Sequence, residues 1–243
     1  TSPLSSPSSR TRLRGWRIPN KTDRLNQARQ RQYVAQADLP EEDQPTLAEF
    51  CALTDPGYQS ARHTELLCRE LEALERGDTT RLMVFMPPRH SKTYHVSERF
   101  PAWWVGKHPD HQVILASYGA ELAERSSRRA RGLLALPTYP FSTRIAVDSK
   151  AVGHWETTAG GQVHATGVTG SGTGFGAHLL DIDDPIKDRQ QADSETYREN
   201  VWEWWTDTAR TRLMPNGKVL LTLTRWHEDD LAGRIMNSPN AKR

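Results

Sequence analysis

Three short segments of this 243-residue chain carry side chains of the types, in the settings, that phosphoryl chemistry needs. The first is MPPRHSKT, residues 86–93. It follows an apolar run and opens a helical pattern, so backbone N–H groups and a helix N-terminus face whatever anion sits there. Lys92 is placed to reach terminal phosphates and Thr93 to offer its hydroxyl to Mg²⁺, with Pro88, Arg89, His90 and Ser91 forming the loop wall. Met86 and Ser91 stand where the regular phosphate-loop pattern has glycine, so a Pro-rich turn capping an ordinary helix fits the segment equally well. The second is HLLDIDDP, residues 178–185, a strand pattern ending in adjacent carboxylates. Asp183 suits a metal shell and Asp184 the polarisation of an attacking water. Asp184 is one methylene shorter than a glutamate, which requires the water to lie closer. Asp181, a charge inside an apolar strand, is expected to face a polar cleft or solvent. A solvated turn is the plainer account of such a pair. The third is LTLTRWHEDDLAGRI, residues 221–235, where Thr222 and Thr224 are placed to sense a terminal phosphate with Arg225 close behind. A plain strand with threonine at every second position gives the same pattern.

The elements that must position these residues alternate. Leu66, Leu67, Leu71 and Leu74 give His63 to Arg76 a helical stripe. Leu82 to Met86 reads as a short buried strand, with a helix from about Lys92. Gln112–Ser117 is a second strand, and Ala120–Leu136 a helix. Two segments flanking Gly160 and Gly161 read as a hairpin. His178–Asp183 is a third strand, followed by a long helix capped by Asp193 or Ser194 that runs through VWEWW to about Arg212. Lys218–Thr224 is a fourth strand, and Asp229–Met236 opens a last helix. Strands alternating with helices predict an α/β domain built on a mostly parallel sheet. The tryptophans of these helices (Trp103, Trp104, Trp202, Trp204, Trp205) could stack on bases, but core packing or a subunit interface is the reading their chemistry favours.

Composition narrows the classes. At 36% hydrophobic residues there is enough apolar surface for a core, while the longest apolar run, Leu82 to Met86, is far short of a membrane span. The chain reads as soluble and intracellular. Cys51 and Cys68 have no CxxC or compact Cys/His spacing around them, which favours two reduced thiols over a zinc site. Residues 1–44 form a basic arm and linker, Ser/Pro-rich at its start. Eight basic side chains (Arg10, Arg12, Arg14, Arg17, Lys21, Arg24, Arg29, Arg31) oppose Asp23 alone over residues 1–35. Such an arm suits nonspecific contact with a polyanion, or serves as a solvated leader with a polar helix over 21–36. The folded domain is placed at 45–243.

The segments PPRHSKT, HPDHQVILASYGAELAERSS, TGSGTGFGAHLLDIDDPIKDRQQADS and LTLTRWHEDDLAGRI together resemble the large terminase subunits of tailed bacteriophages, over roughly residues 55–236. That resemblance implies a P-loop NTPase of the additional-strand class that drives double-stranded DNA into a capsid. It gives Lys92 and Thr93 to ATP and Mg²⁺, and Arg89 to a phosphate. It makes Asp183 the metal acid and Asp184 the catalytic acid. Thr224 and Arg225 become the coupling segment, and the stretch from Tyr58 to His63 lies against adenine. Where some members carry an arginine ahead of the acid strand, this chain has Phe175. The resemblance further implies a homo-oligomeric ring on the procapsid in the host cytoplasm, with portal protein and small terminase subunit as partners and no membrane. A C-terminal nuclease domain is absent from this stretch of sequence, so ATP hydrolysis and no DNA cleavage is the expectation. A helicase-like ATPase and a nucleotide-binding relic without turnover are the competing readings.

Overall fold

The computed structural model describes residues 44–149, 151–170 and 174–238; the basic arm and the helix expected at 21–36 lie outside the described residues. Helix α1 (Leu47–Thr54) is entered through a capping box, Thr46 accepting from the Glu49 N–H and Glu49 from the Thr46 N–H. Helix α2 (Arg62–Arg76) stops at Gly77, whose φ of 89° lets its N–H turn back to the last carbonyls. Of the leucine stripe expected on α2, Leu67, Leu71 and Leu74 are buried, whereas Leu66 is exposed. Cys68 takes the inward place beside Leu67, which leaves Leu66 on the outer side of the stripe.

Strand β1 (Arg81–Phe85) leads into the loop at 86–91, and the helix that follows passes through a π-helical stretch, Tyr94–Arg99, before α3 (Phe100–Lys107). Strand β2 (Gln112–Ser117) and helix α4 (Ala120–Leu133) come next. The hairpin at Gly160 and Gly161 forms as expected, from β3 (His154–Glu156) and β4 (Gln162–Gly167). Strand β5 (Ala177–Asp183) carries the acids. After a short helix that was not expected, α5 (Arg189–Asp193), the helix expected from Asp193 or Ser194 forms as α6 (Glu195–Glu203), continued by π-helical Trp204–Ala209 and a 3₁₀ turn to Arg212. Ser194, one of the two caps expected, accepts from the Tyr197 N–H at the start of α6. Strand β6 (Leu213–Leu223) is longer than its apolar core suggested, and α7 (Leu231–Asn237) is capped by Asp230.

The sheet runs β1-β6-β5-β2-β4-β3, parallel throughout except for the β3–β4 hairpin. β6, the strand latest in sequence, thus separates the loop strand from the acid strand. Strand β1 sits at the sheet edge, so Phe85 is exposed and the strand is only half-buried, not the buried strand expected. One face packs on α1, α2, α3 and α4 through Phe50, Leu71, Phe100, Trp104, Leu115 and Leu179. The other packs on α6 and α7 through Ile182, Val201, Trp204, Leu221 and Leu231. Trp103, Trp104, Trp204 and Trp205 are all at least nine-tenths buried, as the packing reading expects. Trp202 and Trp205 also line an open cleft of about 630 Å³ on this second face, shared with Met83, Arg210 and Ile235.

Candidate active site

Because the strands are parallel, the residues at their C-terminal ends meet along one edge. Pairing registers Ser117 of β2 with Asp183 of β5, Asp183 with Thr222 of β6, and Thr222 with Val84 of β1. The period of two puts Asp181, Asp183, Ser117 and Thr222 on the face turned to the helix that leaves the loop.

That helix supplies two hydroxyls. The Thr93 hydroxyl donates to Asp183 Oδ2 at 2.7 Å and the Ser97 hydroxyl to the same oxygen at 3.1 Å. Ser97 was missed in the sequence, although its i+4 spacing from Thr93 is the signal that puts both on one helix face. Asp183 is 4% exposed, and its Oδ1 has no hydrogen-bond partner among the described residues. Burial, then the neighbouring Asp184 charge, pushes its carboxyl up to about 6. A buried carboxylate with an orphaned oxygen beside a threonine hydroxyl is the hard-oxygen donor set that suits Mg²⁺. Ser117 Oγ and Thr222 Oγ1, also buried without partners among the described residues, flank it in the sheet register. Asp181 does not face a polar cleft or solvent as expected: it is 1% exposed, with neither oxygen hydrogen-bonded among the described residues. Burial, then the Asp183 charge, raises its carboxyl well above the ordinary carboxylate range.

Lys92 is buried and its ammonium bonds Asp184 Oδ2 and, at 3.1 Å, the Thr224 hydroxyl. Asp184 is held on every side. Its N–H donates to Thr222 O (2.8 Å), its carbonyl accepts from Tyr118 N–H (3.1 Å), and its Oδ1 accepts from Thr224 N–H (3.0 Å). Its φ of 46° lies in the left-handed region, a conformation an aspartate keeps only where its surroundings impose it. The Thr224 hydroxyl also reaches Met86 O at 3.3 Å, tying the end of β6 to the start of the loop. Lys92, Thr93, Asp183, Asp184 and Thr224 therefore form one connected cluster.

The remaining predicted residues sit around it. Pro88, Arg89, His90 and Ser91 form an exposed loop crest, with His90 Nδ1 on Pro88 O at 2.9 Å. His63 meets His90 edge-on, ring centroids 5.9 Å apart, and Tyr58 stacks parallel to Tyr94, so the Tyr58–His63 stretch does border the loop. Arg225 is turned away: its guanidinium pairs with Asp230 at 2.6 Å and lies over Phe85. Phe175 stacks on His164.

Ser91 has a φ of 62° at the position where the regular loop has glycine. The left-handed conformation costs an L-residue about 1–2 kcal/mol, partly offset in a glycine variant by its greater unfolded-state entropy. Ser91→Gly is expected to leave the fold intact and raise unfolding stability by up to ~1 kcal/mol in urea melts. A clear loss of stability would mean that the serine hydroxyl, and not the backbone, holds the loop.

Comparisons with known proteins agree with this fold. The family model described as terminase large subunit, T4likevirus-type, N-terminal, matches residues 83–242. Among solved structures, the large terminase of bacteriophage HK97 is similar at a TM-score of 0.55 and 12% identity, a likeness of fold. It covers 79% of this chain, which in turn spans 40% of that chain. No curated protein matches in sequence.

Proposed function

Since the chain belongs to the terminase large subunits, we propose that it is the ATP-hydrolysing motor domain of such a subunit, driving double-stranded DNA into a capsid. The observation that carries this reading is the convergence of Lys92, Thr93, Asp183, Asp184 and Thr224 from three separate elements onto one sheet edge. That constellation contains a phosphate cation, a metal acid, a water-polarising acid and a sensing hydroxyl, which are the parts that phosphoryl transfer to water requires.

Thr93 and Asp183 are the residues that would hold Mg²⁺. The ion, when bound, neutralises charge on the phosphate oxygens. The N–H groups of residues 89–93 are those nearest the loop crest and the helix start, where phosphate binds. Lys92 exchanges its bond to Asp184 for a phosphate oxygen, and Asp184 becomes free to accept a proton from water. Asp184 thus stays neutralised by Lys92 until nucleotide arrives, which keeps a base off the site when there is nothing to hydrolyse. Thr224 touches both ends of this exchange, through its N–H on Asp184 and its hydroxyl on Lys92. Arg225, paired to the Asp230 cap of α7, links Thr224 to the next element.

Portal protein and small terminase subunit as partners, a homo-oligomeric ring on the procapsid and a host-cytoplasmic location follow from the same reading. No described helix is long and apolar enough to cross a membrane. ATP turnover measured with and without duplex DNA tests the proposal. DNA-stimulated hydrolysis supports it, while nucleotide bound without turnover would replace the motor with a relic.

Coupling is tested separately at Thr224. Thr224→Val keeps the β-branched shape and the N–H to Asp184 but removes the hydroxyl bonds to Lys92 and Met86. In the full-length subunit assembled on capsids it is expected to bind ATP nearly normally and to package little or no DNA. The ATP consumed per base pair packaged is the measurement. A wild-type ratio would return Thr224 to ordinary strand packing.

A further inference from the structure

The two cysteines, seventeen positions apart in sequence, are brought together by the α1–α2 packing, and His95 joins them from the π-helical stretch. Cys51 Sγ, Cys68 Sγ and one ring nitrogen of His95 all lie within 4.8 Å of one another, and all three residues are at most 1% exposed. The orientation of the imidazole is set independently. His95 Nδ1 lies 2.8 Å from the Ser91 carbonyl, which can only accept, so Nδ1 carries the proton. Nε2 is left with its lone pair, 3.3 Å from the Tyr58 hydroxyl. A histidine whose Nδ1–H is fixed by a backbone carbonyl, leaving Nε2 as the ring's acceptor, is arranged as metal-bound imidazoles are.

We propose that Cys51, Cys68 and His95 form a structural binding site for a thiophilic divalent cation of the Zn²⁺ class, with the Tyr58 oxygen nearest the fourth position. Zn–S bonds of about 2.3 Å and Zn–N bonds of about 2.0 Å in a tetrahedron require donor separations of roughly 3.5–3.8 Å. The separations here, none above 4.8 Å, come within about an ångström of that, a closure the filled site requires of its side chains. Two thiolates and a neutral imidazole cancel a dication, so the filled site is neutral, as a position in the apolar core beside Leu47, Phe50 and Leu71 demands. Sequence spacing hid the site because its ligands come from three helices rather than from a CxxC knuckle. Its effect reaches the loop: the cation would join α1 and α2 to His95, whose Nδ1–H holds Ser91, the residue before Lys92. Residues 51 and 68 lie outside the part of the chain that the family model matches.

The test does not depend on ATP hydrolysis. The full chain is purified under reducing conditions, its zinc content is measured by mass spectrometry, and Co²⁺ is titrated into the metal-stripped protein. One equivalent of zinc is expected, and Co²⁺ should give thiolate charge-transfer absorption with the intense d–d bands of tetrahedral geometry. Cys51→Ser and Cys68→Ser should each weaken Co²⁺ binding by at least ~100-fold, a change no smaller than loss of an outer-shell partner brings. His95→Gln should weaken binding while keeping charge-transfer absorption. The wild-type spectrum decides even if a variant misfolds, since its charge-transfer intensity counts the thiolate ligands. Folded wild type that holds no stoichiometric cation, an octahedral Co²⁺ spectrum, or a Cys51–Cys68 disulfide in freshly isolated protein would overturn the site.

Discussion

Lys92→Ala is expected to abolish ATP hydrolysis and to weaken ATP binding beyond the range of ordinary assays, because it removes the one loop cation that the helix buries at the strand ends. Lys92 is 6% exposed and already engaged with Asp184 and Thr224, so its ammonium is held in place before nucleotide arrives. A preorganised charge in a low-dielectric site contributes far more than one that must be collected from solvent. Arg89, in the same loop, is exposed on the crest and cannot substitute. Truncation also leaves Asp183 and Asp184 adjacent with no cation between them, so a melting curve must accompany the activity. Normal turnover in a folded Lys92→Ala protein would remove the phosphate-loop assignment altogether.

Asp184→Asn should bind Mg·ATP and hydrolyse it at least ~10²-fold more slowly, the scale of a lost general base. The amide can still accept from Thr224 N–H through its oxygen, so the left-handed backbone at residue 184 and the end of β5 should persist. Asp183→Asn should act differently. Its carboxylate is the acceptor for Thr93 and Ser97 and holds the orphaned oxygen, so this variant should raise the Mg²⁺ concentration needed for nucleotide binding. Equilibrium binding of a fluorescent nucleotide across a Mg²⁺ titration, set beside single-turnover hydrolysis, separates the two. Identical behaviour of the two variants in both assays would sink the division of labour between the acids.

Much of the architecture was legible because it rests on local signals. Strand β2 and the start of α4 follow from an apolar run and a helical period, and the β3–β4 hairpin from its paired glycines. Errors arose where an element's neighbours decide. Strand β1 reads as buried from composition, yet a strand's burial depends on its place in the sheet, and β1 is at the edge. The helix capped at Ser194 and reaching Arg212 was legible from its cap and period, whereas its passage into π-helical turns at Trp204 was not.

The site divides in the same way. The sequence by itself determined which groups are present: a lysine and threonine opening a helix after a strand, two acids closing another strand, and threonines closing a third. The roles proposed for them rest on the side chain and on the strand end that carries it. Only the tertiary structure decided who touches whom. It placed β6 between β1 and β5, which sets Thr224 against both Lys92 and Asp184. It turned Arg225 onto Asp230, brought Ser97 to Asp183, and buried Asp181 without a hydrogen-bond partner among the described residues. It also gathered Cys51, Cys68 and His95 from three helices. The reason is physical: periodicity reports which face of an element is apolar, whereas strand order and helix docking are set by contacts between residues far apart in the chain, and no local pattern encodes them.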